Sequence, residues 1–204
     1  MKILLASNNK HKLIEFKALL EPEGIEVVGL SDMPESITVE ETGNTFLENS
    51  ILKARAAFTA FGLPSVADDS GLEVVALDNK PGIFSSRFAG VDATDEKNIQ
   101  KLLEEMKNIS IGKRQAQFVC DAVFVTGLDD ETSFAEGITE GEITFEPKGD
   151  KGFGYDPVFF YPPLQKTFGE IPMDEKNKIS HRFKATQAIK YKIVKFCKSG
   201  HDTQ

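Results

Sequence analysis

Ser65-Val66-Ala67-Asp68-Asp69-Ser70-Gly71-Leu72 is the stretch on which the architecture turns. Ser65 to Ala67 reads as a short strand that runs straight into the acids, and Leu72 to Leu77 can resume extended structure, so Asp68 and Asp69 are expected at a strand interruption. Aspartate is a poor strand former, and two in succession between apolar residues cost stability unless a function offsets it.

Upstream, Leu47, Ile51, Ala54, Phe58 and Phe61 recur at helical spacing, Thr45 and Glu48 are spaced as a capping box, and Gly62 with Pro64 ends the helix. Before it come a strand over Ile3 to Ala6, a polar Ser-Asn-Asn loop, a helix carrying Leu13, Phe16, Leu19 and Leu20, and a second strand over Ile25 to Leu30. An acid-rich connection follows, Pro34 to Thr42. Downstream, Pro81-Gly82 opens a polar and aromatic loop from Ile83 to Gly90, and Thr94 starts an amphipathic helix through Ile99, Leu102, Leu103 and Met106. Gln115 to Thr126 and Ser133 to Phe145 suggest an antiparallel pair of strands, and a last helix begins after Ser180. Strands alternating with helices predict an α/β fold with a mixed sheet. With no repeat, low-complexity tract or Pro/Ser linker to mark a boundary, residues 1–204 are expected to be one domain with two lobes.

A chain of 204 residues can bury a core without staples, and 32 acids against 24 Lys and Arg give a net charge of -8. That field repels nucleic acid and anionic membranes, which excludes both as expected partners. A small anion can still bind where basic residues gather locally and a metal ion neutralises the rest. Cys120 and Cys197 show no metal-ligand spacing and are expected as reduced, partly buried thiols. The apolar run after Met1 is too short for a signal peptide and no segment approaches the ~20 residues that span a bilayer, so a cytoplasmic location is expected.

Four segments carry candidate chemistry. Ser7-Asn8-Asn9-Lys10-His11-Lys12 lies where a strand yields to a helix, a place suited to anions because of unpaired N–H groups and the macrodipole; in isolation an N-capping Asn followed by solvated lysines is the favoured account of it. No GxxxxGK[ST] loop is present. Glu40-Glu41 and Asp68-Asp69, from separate segments, could hold Mg²⁺, which needs only one or two carboxylates plus substrate phosphates. Glu40 and Glu41 could also be ordinary acids near a helix start. Gly152-Phe153-Gly154-Tyr155-Asp156-Pro157 either lets backbone and ring approach a planar ligand or makes a tight turn with a core-packed Phe. In Lys176-Asn177-Lys178-Ile179-Ser180-His181-Arg182, Ser180 can cap the last helix, which puts two cations where the dipole disfavours them. An anion or carbonyl-rich ligand would reconcile this, although screening keeps the penalty small.

Together these segments, with Glu41-Thr42-Gly43-Asn44-Thr45-Phe46-Leu47-Glu48-Asn49, Lys53-Ala54 and Pro81 to Gly90, resemble the inosine triphosphate pyrophosphatase family, in order and in spacing from the first strand to the final helix. The stretch from Asp129 to Ser133 and the tail after Lys198 carry no part of the likeness. The resemblance implies an elongated mixed sheet flanked by helices, two lobes around a central substrate cleft, and a homodimer. It implies a Mg²⁺-dependent hydrolase that cleaves ITP, dITP and XTP to the monophosphate and pyrophosphate. In that reading Ser7 to Lys12 and Lys53 handle the triphosphate, and Glu41 and Asp69, with Glu40 less securely, bind the metal. Asp69 also accepts a proton from the attacking water, and Ser70 lies beside the substrate. Phe153, Gly154, Tyr155, Asp156, Lys176, His181 and Arg182 surround the base. Two rivals stand beside it: a septum-inhibitor type pyrophosphatase acting on modified pyrimidine triphosphates, which Ser180-His181-Arg182 does not fit, and a nucleotide-binding regulatory module without catalysis.

Overall fold

A computed structural model describes residues 1–127 and 132–199. Positions 129–131 and 200–204 of the two stretches outside the resemblance therefore lie beyond the described residues. In chain order the elements are β1 (Lys2–Leu5), α1 (Lys10–Leu20), β2 (Glu26–Gly29), α2 (Phe46–Phe61), β3 (Ser65–Val74), β4 (Lys80–Pro81) and α3 (Asp95–Glu105). They continue with β5 (Gln115–Val125), β6 (Thr132–Ile143), β7 (Phe159–Tyr161), β8 (Lys166–Thr167), α4 (Met173–Ile179) and α5 (His181–Ser199). The described strands form one mixed sheet, ordered β2-β1-β3-β5-β6-β7-β8 with β4 on β3. β1 is parallel to β2 and β3, whereas β3–β4, β6–β7 and β7–β8 are antiparallel. The expected α/β fold with a mixed sheet flanked by helices is the one observed.

The chain divides into two compact units: Met1–Asp69 with Cys120–Gly137 and Lys184–Gln204, and Ser70–Val119 with Ile138–Phe183. The first unit follows from strand alternation. Ile3, Leu5 and Val66 pack with Phe16 and Leu20 of α1 and with Ala185, Ile189 and Ile193 of α5. Leu4, Ala6 and Ala67 pack with Ala54 and Ala57 of α2. Successive strand side chains point to opposite faces, so the two helical layers cover the two faces of β1 and β3. The parallel pairing of β1 with both neighbours needs crossovers, which α1 and α2 supply. The second unit closes over Leu72 and Val74 of β3, Ile99 and Leu102 of α3, Phe118 of β5, and Phe159 and Phe168.

The expected strand interruption is not there: β3 runs unbroken through Asp68, Asp69, Ser70 and Gly71. The acids remain in the ladder because alternation sends them to opposite faces, and each meets a lysine there. Lys12 of α1 lies 2.8 Å from Asp68, and Lys53 of α2 lies 3.0 Å from Asp69. Two smaller corrections follow. The loop expected after Pro81 is largely a 3₁₀ helix, Gly82–Arg87. Lys176 belongs not to the last helix but to α4, a separate short helix after Pro172. Both cysteines are buried free thiols.

Thr45 caps α2 as its spacing predicts, its hydroxyl accepting from Glu48 N–H at 3.1 Å. The Glu48 carboxylate reaches back one residue further than a capping box does, to the Asn44 N–H at 2.6 Å. Thr45→Ala is expected to lower stability by about 1 kcal/mol, visible as a lower urea midpoint with an unchanged slope.

Candidate active site

In the first unit β3 presents Asp69 toward α2. The Lys53 ammonium lies 2.9 Å from Glu41 Oε1 and 3.0 Å from Asp69 Oδ1, so these oxygens, from segments far apart in sequence, are no further apart than the sum of those distances. Asn49, one helical turn before Lys53, donates to Asp69 Oδ2 at 3.3 Å and accepts from Gly43 N–H at 2.9 Å. It thereby ties the Glu41 segment to the same place. A side chain at Gly43 would put its Cβ 2.7 Å from the Asn49 amide oxygen, which explains the glycine. Burial, opposed by Lys53 and reinforced by Glu41, holds the Asp69 carboxyl above its ordinary range. Burial alone would lower the Lys53 ammonium, but Asp69 and Glu41 together outweigh it and raise it.

On the other face, Lys12 donates to Asp68 Oδ2 at 2.8 Å and to the Asp68 carbonyl at 3.3 Å. Asn9 is the N-cap of α1, accepting from His11 N–H at 2.9 Å and Lys12 N–H at 3.4 Å, and its own N–H donates to Ser7 Oγ at 3.1 Å. The capping reading of this loop is therefore present in full, with one difference: Lys12 is engaged with a buried acid instead of being solvated. Asn8, Lys10 and His11 are exposed. Glu40 is exposed too, its carbonyl accepting from Thr42 N–H at 3.1 Å. The structure thus gathers Glu41, Lys53 and Asp69, and it does not show Glu40 joining them.

The second unit holds a pocket of about 160 Å³ whose wall includes Ser70, Phe153, Tyr155, His181 and Arg182. Arg182 donates to Ser70 Oγ at 3.1 Å. The His181 ring stacks on Phe118, with centroids 4.8 Å apart and an angle of 13°. Ser180 caps α5 as predicted, accepting from Phe183 N–H at 3.2 Å. Phe153 is 49% exposed, so its ring is not a core plug, and the Lys176 ammonium of α4 lies 4.7 Å from its centroid. The two even readings of the glycine turn resolve into a tight turn that presents a ring. Gly152 has φ +77° and a Cβ there would fall 2.0 Å from an Asp156 oxygen.

Asp156 and Lys176 also line this pocket, although both are almost wholly buried. The Asp156 Oδ2 accepts from Phe153 N–H at 2.9 Å and is ion-paired with Lys176. Burial, opposed by Lys176, raises the Asp156 carboxyl. Tyr155 donates to the Ser85 carbonyl at 2.8 Å, and its phenol is pushed up by burial and then by Asp95.

Sequence reasoning missed Asn49, Asp95 and Asn98. Asp95 accepts from Gly154 N–H at 2.6 Å, and buried Asn98 accepts from Ala89 N–H at 2.7 Å and donates to the Ser86 carbonyl at 3.2 Å. Asn49 was detectable as the i−4 neighbour of Lys53 on one helical face. Asp95 and Asn98 share a face of the first turn of α3, but nothing local marks what they bond. A hollow of about 320 Å³ beside Arg114 is larger than the pocket just described. The Arg114 guanidinium is committed to the carbonyls of Met106, Ile109, Ile143 and Thr144, so it serves as a structural tie.

Fold and site together define an α/β protein with a carboxylate–lysine centre in its first unit and a polar, aromatic-edged pocket in its second. The chain belongs to the Ham1 family, whose model matches residues 3–192. It is 46% identical over 186 residues to a dITP/XTP pyrophosphatase of Halalkalibacterium halodurans, covering 91% of this chain and 95% of that one. It is 47% identical over 189 residues to the dITP/XTP pyrophosphatase of Escherichia coli K12, covering 92% and 95%. The solved structure of the Staphylococcus aureus Ham1 protein superposes with a TM-score of 0.87 at 43% identity, covering 95% of this chain and 98% of that one. A HAM1 protein from Coxiella burnetii gives 0.89 at 42% identity, covering 96% and 99%. Among the described residues, no helix is long and apolar enough to cross a membrane.

Proposed function

We propose that this chain hydrolyses the non-standard purine nucleoside triphosphates ITP, dITP and XTP to the monophosphate and pyrophosphate with Mg²⁺, clearing them from the nucleotide pool of the cytoplasm. The observation that carries the reading is the acid–lysine centre of the first unit, where the Lys53 ammonium meets both Glu41 and Asp69. Relatives at this level of identity are named for the same reaction.

The donor set fits a hard ion that keeps most of its waters. Glu41 and Asp69 supply two carboxylates, and no group of three or more acidic, His or Cys side chains suited to a metal occurs among the described residues. Glu41 and Asp69 would hold Mg²⁺, with Glu40 a further candidate; when bound, the ion supplies charge neutralisation on the phosphates and a Lewis acid. Asp69 takes the proton of the attacking water at a carboxylate oxygen. Lys53, with Lys10 and the polar side chains of the Ser7 to Lys12 loop, steadies the departing pyrophosphate. Lys12 acts from its ion pair with Asp68. In the pocket, Phe153 stacks on the base while His181, Arg182 and a backbone N–H group of the turn donate toward a 6-keto oxygen. Asp156 and Lys176 hold the turn that carries Phe153. A 6-amino group would bring a donor to donors, and polar sites reject such mismatches by large factors. The functional form proposed is a homodimer of single catalytic domains spanning residues 1–204.

Incubation with ITP, XTP, GTP, ATP and the deoxy forms is expected to release pyrophosphate from ITP, dITP and XTP at kcat/KM about 10² or more above ATP. Release of orthophosphate, or equal rates with ATP, would refute the reading.

A further inference from the structure

The two carboxylates read as metal ligands already share a cation, the Lys53 ammonium. It lies 2.9 Å from Glu41 Oε1 and 3.0 Å from Asp69 Oδ1, and the Lys53 and Asp69 side chains are each 15% exposed. Two carboxylates gathered at a shielded place repel unless a positive charge sits between them. We propose that Lys53 is an exchangeable counter-ion: in the nucleotide-free protein its ammonium holds Glu41 and Asp69 together in place of a divalent cation, and it leaves them for phosphate oxygens when a metal–triphosphate complex enters. The inference deepens, and rests on, the assignment of Glu41 and Asp69 as metal ligands.

Three features suit the exchange. Lysine carries a compact charge on a flexible four-carbon stem, so its ammonium can move without disturbing α2, which the planar fork of arginine cannot do as freely. Asn49 holds Asp69 Oδ2 independently, so the carboxylate stays placed when the ammonium departs. Glu41 is held through its neighbours, because Gly43 donates to the same Asn49. A divalent cation arriving alone must expel the ammonium from two charge-assisted hydrogen bonds and leave it without acceptors. The same cation arriving with phosphates brings those acceptors with it. Metal and phosphate binding are therefore positively coupled through one side chain.

The test is titration of nucleotide-free protein with Mn²⁺ alone, following the electron paramagnetic resonance signal of the free ion. Lys53→Met is expected to bind Mn²⁺ about ten-fold or more tightly than wild type, because the competing cation is gone. Lys53→Gln should behave likewise, and Lys53→Arg, which keeps the charge, should not tighten. Circular dichroism selects the folded neutral variants, either of which suffices. Affinity in them equal to or weaker than wild type would overturn the exchange. Pyrophosphate release from ITP by wild type reports separately on the function. Turnover without tightening sinks only the exchange, and tightening without turnover sinks only the activity.

Discussion

Asp69→Asn is expected to lower pyrophosphate release from ITP by about 10³-fold or more, because one substitution removes the carboxylate proposed both to hold the metal and to accept the proton. Asparagine keeps the shape, and Lys53 keeps Glu41 as its partner, so the loss should appear in kcat without unfolding the protein. Stability provides the second signature. Burial first, and then Glu41, raise the Asp69 carboxyl against the pull of Lys53. A carboxyl whose folded pKa is raised contributes stability below its unfolded pKa and loses it as pH rises through the folded value. At pH 7 the ionised group is therefore a cost to the metal-free fold. The inactive variant should unfold at a urea concentration no lower than wild type at pH 7, and this advantage should vanish as pH falls into the carboxylate range. An Asn variant within ten-fold of wild-type turnover, or one clearly less stable at pH 7, would mean that Asp69 serves structure instead of chemistry.

That pattern also explains what was legible in the sequence. Helices α1, α2, α3 and α5 announced themselves because each buries one face at a fixed period, and their caps, Asn9, Thr45, Thr94 and Ser180, are local chemistry. The acids of β3 were recognised as costly in a strand, but the inference that they break it was wrong. Their cost is met by Lys12 and Lys53, which lie more than ten residues away in sequence, and propensity carries no trace of a partner so distant. β4, β7 and β8, with two or three residues each, are too short for any period to show, and α4 is hidden between prolines and lysines. For the site, residue types and order singled out segments of which the structure gathers Glu41, Lys53 and Asp69 in the first unit, and Ser70, Phe153, Tyr155, His181 and Arg182 in the second. What they could not separate was a residue that reaches a ligand from one that holds the turn carrying it, as with Asp156, which lines the pocket yet is committed to Lys176 and the Phe153 N–H.

Lys176→Met tests that distinction. Methionine fills the same length with an apolar chain, so the change removes a charge from a buried pair and little volume. Lys176 and Asp156 are 5% and 2% exposed, and the Phe153 N–H would remain as a donor to the carboxylate with Arg182 the nearby cation. Breaking a buried pair by deleting one partner leaves an uncompensated charge, and a loss of about 3–5 kcal/mol at pH 7 is expected. The sign of the pH dependence separates this from a packing defect. Burial already raises Asp156 in the wild type against the opposing pull of Lys176. Without that pull the carboxyl rises further, so the stability it loses as pH climbs through its folded pKa becomes larger. The deficit should be greatest at neutral pH and shrink on acidification, when a protonated Asp156 needs no cation. Lys176→Met combined with Asp156→Asn, which leaves neither charge buried, should recover most of the loss. A deficit that stays constant from pH 7 to pH 4, or a double variant no better than the single one, would show that the lysine stem matters only for packing. The KM for ITP should rise in the single variant, because Lys176 lines the pocket and its ammonium lies 4.7 Å from the centroid of the Phe153 ring proposed to stack on the base.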